Sequence, residues 1–92
     1  MNRVERQLLR ITDELLRLDR EEDLLLGELE MHRSLHDDAS RDAAVYGTPV
    51  ERENAYESGK DVAAFERALT GLASRRESLH LKRRKLLARL EA

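Results

Sequence analysis

The chain contains no cysteine and no tryptophan, a single phenylalanine, two tyrosines and one proline. The missing thiols exclude disulfide staples, thiolate metal sites and a cysteine nucleophile. Aromatic residues amount to 3% and charged residues to 39%, a balance that suits a coiled coil or long helix better than a packed α/β core. Apolar runs are short, Leu24-Leu25-Leu26 among them, and charge begins at Arg3. The expectation is therefore a chain without signal peptide or membrane span, working in the cytoplasm. A net charge of −2 and a pI near 5.9 have the wrong sign for a protein whose main partner is nucleic acid. At 92 residues the chain is one domain at most, and a chain this short buries a modest fraction of its surface, so association is a plausible remedy.

What is present is leucine at regular intervals. From Val4, apolar residues recur in alternating steps of four and three: Leu8, Ile11, Leu15, Leu18, Leu25, Leu29, then Ala39, Ala43 and Tyr46. Glu22, His32 and His36 interrupt this series. A second series runs Val62, Phe65, Leu69, Leu72, Leu79, Leu86, Leu90, interrupted by Arg76 and Arg83. A sustained period of about 3.5 residues is the seam of a coiled coil, so two helices are implied.

Their boundary is the clearest local signal. Gly47 stands where a helix C′ residue belongs, and Thr48-Pro49-Val50-Glu51 reads as N-cap, proline at N1 and glutamate at N3. The expected architecture is all-α: an antiparallel two-helix coiled-coil hairpin in one domain over 1–92, with helix 1 at about 3–46, a turn at 47–48 and helix 2 at about 49–90. Asn2 would cap helix 1, with Glu5 at N3. By rise alone each helix is roughly 60–65 Å long. Folding back at Gly47 brings Leu8 opposite Leu86, Leu15 opposite Leu79, Leu25 opposite Leu69 and Leu29 opposite Phe65, so the two series match each other. Gly27 and Gly71 each cost about 1 kcal/mol in a helix interior relative to alanine. Ser58-Gly59-Lys60-Asp61 offers a second cap and a short separate helix over 49–57; the expectation is a helix that continues there, straight or kinked.

Three groups of residues invite chemistry. His32 and His36, at i and i+4, could present two imidazoles to a metal with Glu57 and Asp61 approaching from helix 2. They lack an HExxH pattern and fall on the seam, where polar residues set register; no metal and no cofactor are expected. Residues 1–46 hold 7 Lys/Arg against 12 Asp/Glu, a net −5, and residues 47–92 hold 10 against 7, a net +3. The hairpin would place Lys82 to Lys85 near Ile11 to Glu14, and Arg75-Arg76 near Leu18 to Glu22, as complementary flanking pairs. Glu22 and Arg76, in adjacent seam layers, would pair and penalise wrong registers. Finally, Leu9, Leu16, Leu24, Met31 and Leu35 lie off the seam. A two-stranded coiled coil needs one seam, so this second stripe implies a further partner, either a second copy completing a four-helix bundle or another protein.

At the turn, Glu53-Asn54-Ala55 followed by Tyr56 resembles the tip of the Gre transcript-cleavage factors, whose coiled-coil finger enters the RNA polymerase secondary channel. The resemblance covers about four residues; the acidic residue of that family three positions before Glu53 is Val50 here, so only Glu53 carries over. The chain also resembles the hairpin proteins of type VII secretion in length and glycine turn, with Val45-Tyr46-Gly47 in place of their Trp-x-Gly. No nucleophile–histidine–acid arrangement or phosphate loop is present. The sequence thus points to a non-enzymatic adaptor or regulatory module acting through protein–protein contacts and self-association, with Leu9, Leu16, Leu24, Met31 and Leu35 as its working face. The alternative is an RNA polymerase-binding finger acting through Glu51, Glu53, Asn54 and Tyr56.

Overall fold

A computed structural model describes every residue from Met1 to Ala92. The chain is all-helical: α1 is Arg3–Tyr46, 44 residues, and α2 is Pro49–Glu91, 43 residues. They meet in a helical hairpin at Gly47-Thr48. Neither helix is long and apolar enough to cross a membrane.

Local chemistry explains both ends of the turn. Gly47 has φ of 65°, and its N–H donates to the Ala43 carbonyl at 3.0 Å. This is the left-handed cap in which one bond satisfies a terminal carbonyl; a side chain would be strained in that backbone. At the start of α1 the capping box is complete, with Glu5 N–H donating to Asn2 Oδ1 at 2.8 Å and Asn2 N–H donating to Glu5 Oε1 at 3.3 Å. At the start of α2 it is half made. Glu51 N–H reaches Thr48 Oγ1 at 3.5 Å, while Glu51 Oε2 is buried without a partner.

α2 continues through Ser58-Gly59 without a break. The Ser58 hydroxyl donates to the Ala55 carbonyl at 3.1 Å and lies 3.0 Å from His36 Nδ1, so it is engaged within the hairpin and caps no new helix. Gly59 makes room for that imidazole, because an added Cβ would stand 3.1 Å from His36 Cε1.

The chain forms two compact units: Met1–Asp23 with Thr70–Ala92 (unit 1), and Leu24–Leu69 (unit 2). Unit 1 buries Ile11, Leu15, Leu18, Leu72, Leu79 and Leu86; unit 2 buries Leu29 alone to that degree. In unit 2, Leu25, His32, His36, Ala39, Ala43, Val62, Phe65 and Leu69 are half-buried. The buried residues all belong to the two seam series, and no polar residue is buried. Three seam positions depart from the pattern. Tyr46 and Leu90 are exposed because they sit at helix ends, and Arg83 is exposed as a long side chain that keeps its charge in water.

Candidate functional site

In unit 1 the seam is interrupted by a charge cluster. Arg76 donates from Nη1 to Glu22 Oε2 at 2.8 Å, and its Nη2 lies 3.2 Å from Asp19 Oδ1. Nη2 has no aligned acceptor and Nε has none at all. The Glu22 hydrogen bond pushes the Arg76 pKa further up, with the charges of Glu22 and Asp19 in the same direction and burial opposing them. Arg76 thus meets Glu22 as its seam position predicts, whereas its neighbours depart from the expected pairs. Arg75 donates twice to Glu14 Oε1, at 3.0 Å from Nε and 2.7 Å from Nη2, and Arg17 approaches the same oxygen at 3.6 Å. Glu14 is therefore taken, and Lys82, Arg83, Arg84 and Lys85 form no ion pair. An open groove of about 300 Å³ over Ile11 and Leu79 is rimmed by Arg10, Glu14, Arg75 and Lys82.

In unit 2 both seam histidines are engaged by neighbours other than Glu57 and Asp61. The His32 ring lies on Phe65 with centroids 4.7 Å apart, and its Nε2 is 3.7 Å from Glu28 Oε2. His36 meets Ser58, and Glu57 pairs with Lys60 at 3.3 Å. No three His, Asp or Glu side chains gather closely enough to hold a metal ion.

The second leucine stripe is in water. Leu9 and Leu16 of unit 1 are 51% and 54% exposed; Leu24, Met31 and Leu35 of unit 2 are 72%, 50% and 52% exposed. Within each unit the pattern repeats by seven, Leu9 to Leu16 and Leu24 to Met31, and the single eight-residue step falls where unit 1 gives way to unit 2. Leu26, also exposed, escaped the sequence reading because it stands beside seam residue Leu25 in an unbroken leucine triplet.

At the turn, Glu53 and Asn54 are exposed without partners, Tyr56 is exposed with Lys60 Nζ 5.2 Å above its ring, and Glu51 is half-buried, its backbone N–H donating to Thr48 Oγ1. Sequence reasoning missed the other apolar residues here, Val45 and Val50, both exposed. The signal was available, since a residue beside a helix terminus has no facing element to cover it. Leu81 and Leu87, exposed in unit 1, were missed for a different reason, being masked by the basic residues around them.

Against models of protein families, curated proteins and solved structures, the chain gives no match.

Proposed function

We propose that the chain is a non-catalytic, cytoplasmic interaction module that works as a self-associated four-helix bundle and serves as an adaptor or regulator through protein–protein contacts. The observation that carries this is the exposure, by half or more, of Leu9, Leu16, Leu24, Met31 and Leu35 on one helix after the seam has been buried. At about 25 cal/mol per Å² of apolar surface, fully burying a leucine side chain contributes roughly 1.5–3 kcal/mol, so five such residues favour association strongly. A symmetric dimer is the commonest way for one patch to cover itself, and two hairpins side by side make a four-helix bundle.

Light scattering coupled to size exclusion at micromolar concentration tests the reading. The expected species is a dimer, and Leu16→Glu with Leu24→Glu should return a 10.7 kDa monomer of unchanged helicity. A wild-type monomer would overturn self-association, and a dimer indifferent to the double substitution would place the interface elsewhere.

A further inference from the structure

On one flank of unit 1 the two helices present like charges to each other. α1 carries Arg3, Arg10 and Arg17, and α2 carries Arg75, Lys82 and Arg89. Each series advances by seven residues, about 10.5 Å of helix. Positions that flank a coiled-coil seam ordinarily pair opposite charges. We infer that this flank docks an acidic helical segment of a partner protein, whose carboxylates enter between the facing cations. The inference rests on the chain being a protein-binding module and is independent of its self-association.

The chain itself shows which group fits. Arg75 donates to Glu14 Oε1 at 3.0 Å from Nε and 2.7 Å from Nη2, and Arg17 Nη2 lies 3.6 Å from the same oxygen. One carboxylate thus serves a cation from each helix. Seven residues earlier on α1 and seven later on α2, Arg10 and Lys82 line one groove of about 300 Å³ together with Gln7, which holds the place of Glu14 in this layer. A carboxamide has no charge to offset theirs. Asp13, beside Arg10 on α1, forms no ion pair with it. Arg3, Arg10, Lys82 and Arg89 are all exposed and unpaired, so the layer next to the filled one is open to a carboxylate from outside. Ile11 and Leu79, beneath the groove, are only 5% and 4% exposed, which leaves charge to select the occupant.

The charge is strong enough to do so. Residues 1–10 and 78–92 together hold 8 Lys/Arg against 2 Asp/Glu, a net +6. The chain as a whole is −2, which disfavours a long polyphosphate, and unit 1 has no aromatic side chain on which a base could stack. A helix with carboxylates at the same seven-residue step keeps pace with both cation series along its length. Leu9 and Leu16 stand one residue from Arg10 and Arg17, about 100° round α1, so this surface is separate from the leucine stripe.

Fluorescence anisotropy at low salt tests the inference with three labelled probes: a helical peptide of about three heptads with glutamate at every seventh position, an isomer with the same glutamates in one run, and a short DNA duplex. The wild-type chain should bind the heptad peptide severalfold more tightly than either other probe. Arg10→Gln with Lys82→Gln should remove that binding at unchanged helicity and unchanged mass by light scattering. Gln7→Glu, which supplies the layer with its own carboxylate, should also remove it while melting no lower than wild type. Peptide binding indifferent to both changes would overturn the site, as would no binding of any probe. Tighter binding of the duplex would assign the flank to a phosphate backbone, and equal binding of the isomer would overturn the helical occupant. A changed mass in the double variant would place Arg10 and Lys82 in a self-association face and overturn the separate surface, whereas a wild-type monomer that binds the peptide would overturn self-association alone.

Discussion

Arg76 and Glu22 hydrogen-bond at 2.8 Å, joining a charged interruption of one seam series to a charged interruption of the other within unit 1. The guanidinium has one aligned acceptor and an offset neighbour in Asp19, so removing Glu22 leaves a cation on the seam with little to hold it. Glu22→Leu and Arg76→Leu should each destabilise the chain, and the double variant should be less destabilised than the two effects combined, because the orphaned charge is gone. Urea unfolding of the four proteins gives the cycle. Additive effects would make the contact incidental to register.

The helical glycines separate steric need from helix propensity. Gly71 has nothing within 4 Å of an added Cβ, so Gly71→Ala should stabilise the chain by about 0.5–1 kcal/mol. Gly59→Ala should gain less or lose, because its Cβ would meet His36 Cε1 at 3.1 Å and disturb the bond to Ser58. Equal gains at both positions would mean that the imidazole moves aside freely.

Leucines at the two kinds of position should answer differently to truncation. Leu79 is 4% exposed, and Leu79→Ala should cost about 2–5 kcal/mol. Leu24→Ala should change the stability of the dissociated chain by no more than about 0.5 kcal/mol, and weaken association instead. Denaturation followed across protein concentration distinguishes the two.

Glu53, Asn54 and Tyr56 face water, and Glu53 and Asn54 have no partner. Glu53→Ala and Tyr56→Ala should leave dimer mass and helix content unchanged. Loss of the dimer in either variant would bring the turn into the interface, whereas a loss confined to RNA polymerase binding would favour the finger that the Glu53-Asn54-Ala55 resemblance implies.

The turn was legible because Gly47, Thr48 and Pro49 each have a specific backbone preference, and the seam because leucine recurs at a fixed period. Ser58-Gly59 was ambiguous for a physical reason. A serine three residues before an aspartate reads as a cap in sequence, and only the imidazole of a residue 22 positions away explains why that hydroxyl is engaged elsewhere. Ion-pair partners were legible only in part: Glu22 and Arg76 pair as their seam positions predict, but the flanking residues do not. Arg75 was expected near Leu18 to Glu22 and bonds Glu14 instead, since a long flexible side chain can reach a turn either way along the facing helix. That choice frees Lys82 to Lys85, which no reading of charge sums could reveal.

The two units differ in what fills their seams, and this should appear as a difference in local stability. Unit 1 buries one isoleucine and five leucines, whereas unit 2 places His32, His36, Ala39 and Ala43 where leucine would otherwise stand and fully buries only Leu29. Alanine covers little area, and each histidine retains a polar atom that must be satisfied by Glu28 or Ser58. Opening unit 2 therefore exposes less apolar surface, and the free energy of local opening follows that surface. Amide hydrogen exchange should be faster at residues 32–43 and 52–65 than at residues 11–18 and 72–86, by roughly tenfold or more. Substituting His36→Leu with Ser58→Ala, which replaces the polar pair by apolar groups, should bring unit 2 closer to unit 1. Equal exchange in the wild-type chain would show that the histidine contacts hold unit 2 as firmly as leucine holds unit 1.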